Sequence, residues 1–346
     1  MKSTRHTLDD IATALGLSPN TVSRALRGRD GVSERTRQLV LSEAVKVGYV
    51  IPQQHPTTGV DTIAVTVPSA THTFAAQLLA AIESGVRAAG YSLDLYATEE
   101  LPEQEQQIAE QIIASRPSGV IAIPVQGRSH PWAAVQAAGI PVVATTREIA
   151  ESPTDFIGVD SEAGSYAAAR HLIGSGAKRI LSIDENLAIS TVESRKSGIR
   201  RALEESPQAT VDFADVQTRR FENTGPQWRA HEAFLIVNDR LSEDRMYDAV
   251  ITGDDFFALG ALKALQESGR RVPEEVMVVG YGGLPFAEWV SPSLSTVDLP
   301  AALVGELAVA TLLQRVAGAS GPRIRRLIRP ELKVRASSAV LAERTT

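Results

Sequence analysis

Asn20 and Arg24 stand four residues apart in the run Ser18-Pro19-Asn20-Thr21-Val22-Ser23-Arg24-Ala25-Leu26. On a helix that spacing brings both side chains to one face. An asparagine amide can pair bidentately with adenine, and an arginine guanidinium with guanine. The hydroxyls of Thr21 and Ser23 suit phosphate and sugar, and Arg27 and Arg29 follow as phosphate contacts. The plainer reading is a helix with a solvated polar face, which many helices have. A second group lies after β-rich runs further along: Phe74, Arg147, Asp160, Arg195, Phe221 and Asp255. Aromatic faces with two guanidiniums and two carboxylates can grip a polar ring by stacking and bidentate hydrogen bonds. Phe74 can equally be a core side chain, and Asp160 can equally cap a helix that starts at Ser161. Asp254-Asp255 lacks a third ligand at the spacing a metal site needs.

Short helices must position the first group. Thr7, with Asp9 and Asp10 behind it, supplies a capping hydroxyl and acids, and Leu8, Ile11, Ala12 and Leu15 continue at helical spacing to Gly16. Ser18-Pro19 offers a cap and a first-turn proline to a second helix, Asn20 to Leu26, with Val22, Ala25 and Leu26 on its buried side. A third begins at Ser33-Glu34, repeats Thr36, Leu39, Val40, Glu43, Ala44 and Val47, and ends near Gly48. From Thr62 the pattern changes to short β-branched runs separated by amphipathic stretches: 62–67, 92–96, 119–124, 140–145, 156–159, 179–183, 248–251 and 276–280. Such alternation predicts doubly wound parallel sheets, whose ligands collect beyond the C-terminal strand ends.

A chain of 346 residues accommodates a small head and a two-lobed body. With 43% hydrophobic and 22% charged residues it reads as a folded globular protein. The absence of cysteine removes disulfides, thiolate metal sites, iron–sulfur clusters and cysteine nucleophiles together. No cofactor is indicated. The first ten residues lack the apolar core of a secretory signal and no apolar run is long enough to cross a bilayer, so a cytoplasmic protein without a membrane partner is expected. The net charge of −6 is unevenly spread, because residues 1–50 hold eight bases against five acids and leave −9 on the remainder. A basic head on an acidic body fits a head that meets phosphates.

The run from Thr7-Leu8-Asp9-Asp10-Ile11-Ala12 through Gly16-Leu17-Ser18-Pro19-Asn20-Thr21-Val22-Ser23-Arg24-Ala25-Leu26, continuing at Val32-Ser33, Thr36-Arg37 and Gly48-Tyr49-Val50, closely resembles the head of the LacI family of bacterial regulators. The likeness extends through the body at Gly158-Val159-Asp160, Ala169-Arg170-His171-Leu172-Ile173, Lys178-Arg179-Ile180, Arg195 with Gly198, Asp254-Asp255 with Ala258-Leu259-Gly260, and Val278-Val279-Gly280-Tyr281. The resemblance implies an all-α helix-turn-helix head on an α/β body of two doubly wound parallel-sheet lobes, like periplasmic sugar-binding proteins, with a small-molecule effector between the lobes. It also implies a homodimer on a near-palindromic DNA operator, most often a repressor. Lobe closure would change the spacing of the heads. Carried over by position, Pro19, Asn20 and Arg24 approach base edges, Thr7, Ser18, Thr21 and Ser23 anchor the DNA backbone, and Arg195 grips the effector. The corresponding boundaries are a head at 1–50, a linker at 51–60 and a body at 61–346, with a first lobe at 61–161 and 293–321 and a second at 162–292 and 322–340.

Two departures qualify the likeness. Family members follow Gly-Tyr with a short helix that wedges a leucine into the minor groove, whereas residues 51–59 here lack leucine, carry two prolines and end in glycine. Tyr281-Gly282-Gly283 also lacks the acid that sugar-responsive relatives place after the tyrosine. Two rival readings find less support in the residues. An enzyme on the same α/β fold lacks support from any Gly-x-Gly-x-x-Gly or Gly-x4-Gly-Lys phosphate loop, and a secreted solute-binding protein would need a signal peptide and no head.

Overall fold

The computed structural model describes residues 8–26, 32–46, 61–69, 73–127, 131–149, 152, 154–219, 225–243 and 246–339. It comprises two compact units, Met1–Val60 and Asp61–Thr346.

The first unit holds α1 (Leu8–Leu15), α2 (Pro19–Leu26) and α3 (Glu34–Lys46). Ile11, Ala12, Val22, Ala25, Val40 and Ala44 are buried together, with Leu15, Leu17, Leu26 and Val32 packed against them. The tight turn between α1 and α2 depends on Gly16, whose φ of +62° is the left-handed conformation that ends helices. It lets Leu17 N–H reach Ala12 O at 3.0 Å, which satisfies an otherwise orphaned carbonyl. Ser18 then caps α2, its Oγ accepting from Thr21 N–H at 3.0 Å, and Ser33 caps α3 in the same way through Thr36 N–H at 3.2 Å.

The second unit contains two six-stranded sheets. In the first, β1 (Thr62–Val67), β2 (Ser92–Ala97), β3 (Gly119–Ala122), β4 (Val142–Thr145), β5 (Asp155–Val159) and β11 (Arg325–Ile328) run parallel in the order β11-β5-β4-β3-β1-β2. In the second, β6 (Arg179–Glu185), β7 (Thr210–Val216), β8 (Ala249–Thr252), β9 (Met277–Gly282), β10 (Ser295–Asp298) and β12 (Glu331–Lys333) take the order β12-β10-β9-β8-β6-β7, with only β12 antiparallel.

Side chains alternate between the faces of each sheet, so each sheet has a core on both sides. In the first lobe Ile63, Val65, Ile121 and Val143 pack on α4 (Thr73–Ala88) and α11 (Ala301–Val316), while Ala64, Val120 and Val142 pack on α5 (Pro102–Ser115) and α6 (Trp132–Ala137). In the second, Leu181, Val250 and Val278 face α9 (Gln227–Ser242) and α10 (Asp255–Glu267), while Ile180, Ile251 and Val279 face α7 (Ser161–Gly174) and α8 (Ser190–Glu204). Helices α9 and α10 approach closely at Gly260, where a Cβ would lie 1.9 Å from Ala230 O.

The chain crosses between lobes after β5, β10 and β11. This corrects the lobe boundaries read from sequence, which assigned 293–321 to the first lobe and 322–340 to the second. Ser295–Asp298 hydrogen-bonds in register with Val279–Gly282, so β10 belongs to the second sheet. Arg325–Ile328 pairs with Phe156–Val159, so β11 completes the first.

Candidate functional site

In the head, Val22 and Ala25 of α2 are buried while Pro19 and Arg24 are exposed, so the helix turns its polar side outward. Thr21 is half-buried, and its hydroxyl lies 2.8 Å from that of Ser18. The Ser18 Oγ therefore already serves as the helix cap, alongside the phosphate contact the resemblance implies. Asn20 and Ser23 lie on the helix, but their side chains fall outside the described residues, as do Thr7, Arg27, Arg29 and all of 51–60.

In the body a cleft opens between the C-terminal ends of the two sheets. From the first lobe it is lined by Pro68, Ser69, Phe74, Ile123, Thr146, Arg147 and Val159, and from the second by Ser161, Asp184, Glu185, Thr191, Arg195, Asp254, Tyr281, Leu284 and Leu299. Gln126 ties the lobes together, its side-chain oxygen accepting from the Ser190 N–H at the start of α8.

Of the residues expected here, Phe74, Arg147 and Arg195 do line the cleft. Phe74 also packs against the core of the first lobe, so both readings of it hold. Arg147 is buried and donates bidentately to Glu100, through Nη1 to Oε2 at 2.6 Å and through Nη2 to Oε1, with a further bond from Nη1 to Pro124 O at 3.3 Å. The pair lies on or beside unusual backbone. Glu99 and Glu100 have φ of +52° and +58°, and Thr146, directly before Arg147, has φ of +60° in a region β-branched residues rarely adopt. Arg195 is held by Asp184, Nε to Oδ2 at 2.7 Å and Nη2 to Oδ1 at 2.9 Å, and lies 5.1 Å from the centre of the Tyr281 ring. Burial alone would lower the Arg195 pKa, but the Asp184 carboxylate overrides it and raises the value above the usual guanidinium range.

The other expectations change. Asp160 does not line the cleft; it caps α7, accepting from Ala163 N–H at 2.9 Å. Asp255 is also absent from the lining and fully buried, accepting from Thr296 Oγ1 at 2.6 Å and Leu284 N–H at 2.7 Å, where it fastens α10 to the β9 loop and to β10. Burial drives its pKa up to about 7. Its neighbour Asp254, which caps α10 through Phe256 N–H at 2.8 Å, is the acid that faces the cleft. Phe221 lies outside the described residues.

Sequence reasoning missed Asp184, Glu185 and Thr191. Asp184 and Glu185 end a strand whose apolar run stops at Ile183, and Glu185 is in turn held by Arg229, with Nε 2.7 Å from Oε1. Gly253 was the available signal for Asp184, because a Cβ there would lie 2.1 Å from Asp184 Oδ1. Among the described residues no group of three or more His, Cys, Asp or Glu could hold a metal ion, and no helix is long and apolar enough to cross a membrane.

Two family models match the chain: bacterial regulatory proteins of the lacI family at residues 7–52, and the periplasmic binding protein-like domain at 169–338. The chain is 27% identical over 340 residues to the transcriptional repressor PurR of Mannheimia succiniciproducens, covering 97% of this chain and 99% of that protein. It is 28% identical over 314 residues to the ribose operon repressor of Haemophilus influenzae, covering 90% and 92%. Among solved structures, the lac repressor dimer bound to operator and the anti-inducer ONPF superposes with a TM-score of 0.71 at 25% identity, over 97% of this chain and 100% of that one. The regulator CelR in complex with cellobiose superposes with a TM-score of 0.68 at 26% identity, over 96% and 100%. These relatives are regulators rather than enzymes. The head, the two-lobed body and their matches along the chain agree: this protein belongs to the LacI family and is a DNA-binding transcriptional regulator with an effector-binding domain.

Proposed function

We propose that this protein is a repressor that holds a near-palindromic operator as a homodimer, with α2 in the major groove of each half-site, and releases or tightens its hold when a small polar molecule enters the cleft. The cleft is the observation that carries this reading. Polar groups from both lobes converge at sheet ends in a chain whose head matches DNA-binding regulators. A ligand that touches both lobes favours one lobe arrangement over another, and differential affinity is what coupling to DNA requires. Arg24 and Pro19 supply exposed groups on α2 for base edges. Two-fold operators mirror two-fold proteins, and the lac repressor neighbour is a dimer on its operator.

Selection of binders from random duplexes at low and moderate salt tests the reading. A two-fold symmetric motif that persists at the higher salt supports a dimeric operator reader, and its central steps show whether the leucine-free linker still kinks DNA. Screening metabolites for release or tightening on that operator then tests the cleft. Binding that vanishes with salt and enriches no motif sinks the specific-operator reading.

A further inference from the structure

We propose that Gln126 is a latch between the two lobes: it caps α8 of the second lobe from a loop of the first, so that the chain's own residues, and not an effector alone, favour this lobe arrangement.

A helix leaves its first backbone N–H groups without partners inside the helix, and a side chain just before it commonly supplies an acceptor. Helix α8 starts without one. Its cap position is Ile189, extended at φ −124° and ψ 147° and with no side-chain bond to the helix. The acceptor comes from the other lobe, where Gln126 Oε1 takes the Ser190 N–H. A carbonyl oxygen there also meets the positive end of the α8 dipole.

Gln126 is braced for this. Its Nε2 donates to Glu148 O at 3.3 Å, which leaves the amide oxygen for α8. One residue earlier, Val125 N–H is held by the buried Glu105 at 2.8 Å. The Glu148 carboxylate is itself fixed by Arg323 Nη2 at 2.6 Å and Arg325 Nε at 2.9 Å. The bond therefore runs from an anchored part of the first lobe to the first residue of the helix that carries Thr191 and Arg195 into the cleft. Neither Gln126 nor Ser190 lines the cleft, so a substitution at either shifts the lobes without removing a ligand contact.

Opening the lobes breaks this bond and hands the N–H to water, so the latch favours the arrangement with the bond by about threefold to tenfold. A ligand that needs this arrangement loses apparent affinity by up to the same factor when the latch is removed.

The chain has no cysteine, so two introduced ones label the lobes uniquely. Gln104→Cys on α5 and Ser197→Cys on α8 lie at exposed positions of opposite lobes. Spin-label distances are read by double electron–electron resonance in the full-length protein, without DNA or ligand, diluted into unlabelled protein so that distances within one chain dominate. Gln126→Ala removes the acceptor. Ser190→Pro removes the donor and spares the helix, because proline suits the first helical position and the extended Ile189 suits the residue before it. Each is expected to enlarge a longer-distance population by about threefold to tenfold, whereas Gln126→Glu, which keeps an acceptor, stays near the wild type. The double variant should open no further than either alone. Distances unchanged in the folded variants overturn the latch even if thermal stability falls, since that is the mark of a local structural role. A wild type already as open as Gln126→Ala overturns it too. Should one variant fail to fold, the other decides. The readout uses neither effector nor operator, so failure here leaves the effector reading standing.

Discussion

Arg195 shows how far a single residue's role depends on its partner. Arg195→Ala leaves the buried Asp184 unpaired and is expected to destabilise the body by about 3–5 kcal/mol, read by urea unfolding. The double variant with Asp184→Asn should recover much of that loss, which is the signature of a coupled pair. In the head, Arg24→Ala should cost about 1–3 kcal/mol at one base pair and relax specificity there. Uniform weakening on all sequences would make Arg24 a phosphate contact instead. Glu105 gives a pH prediction. Its buried carboxylate accepts from Val125 N–H at 2.8 Å and Trp132 Nε1 at 3.1 Å, and burial raises its pKa from 4.5 to about 7. The fold therefore binds this proton more tightly than the unfolded chain. Its stabilising contribution is complete below the ordinary carboxyl range, is lost as pH rises through about 7, and stays lost above that. Glu105→Gln should flatten the decline and be the more stable protein at about pH 8, by about 1–3 kcal/mol. Asp255 carries the same sign, so the flattening is partial. At this scale the sequence located the cleft arginines but not the carboxylates that pair with them. Glu100 lies far from Arg147 along the chain, and nothing local announces the pair. Of two adjacent acids, strand-end reasoning favoured Asp255, whereas the helix cap turns Asp254 outward to the cleft and buries Asp255.

Elements were easier to read than partners because their signals are local. The capping serines, Gly16 and the apolar spacing mark all of α1, α2 and α3. The β-branched runs mark β1, β3, β4, β6, β8 and β9, which are buried on both faces and so read as near-continuous apolar stretches. What escaped lies mostly at sheet edges. β7, β11 and β12 carry alternating or charged residues with one side open to solvent, and β11 and β12 have only four and three residues. β10 escaped because Ser295-Thr296-Val297-Asp298 is too short and polar to stand out. The α2 cap yields an element-level prediction: Ser18→Ala should cost the head about 1 kcal/mol and weaken operator and random DNA alike. The readout is thermal unfolding of the head together with affinities on both DNAs. A loss confined to one base step would make Ser18 a reader of sequence instead.

At the level of the whole molecule, head and body are separate compact units, so calorimetry should resolve two transitions. A cleft ligand at about a hundred times its Kd should stabilise the body by about 2.7 kcal/mol and leave the head transition in place. Movement of both transitions together would show that the units unfold as one. The three crossings between the lobes also bear on inheritance. Neither lobe is one uninterrupted stretch of gene, so a single recombination breakpoint between two relatives within the body gives at least one lobe of mixed parentage. Exchange of 161–298 with two breakpoints comes close to a clean transplant. It would carry β6 to β10, and with them Asp184, Arg195, Gly253 and Tyr281, as one inherited block. The resident C-terminal segment would then meet a foreign lobe, through β12 at Glu331 to Lys333 and through Arg335, Ser337 and Ser338, which hydrogen-bond to Ser293, Ser295, Val278 and His171. Ligand preference in such a regulator can thus be acquired in one genetic event while the head keeps its operator.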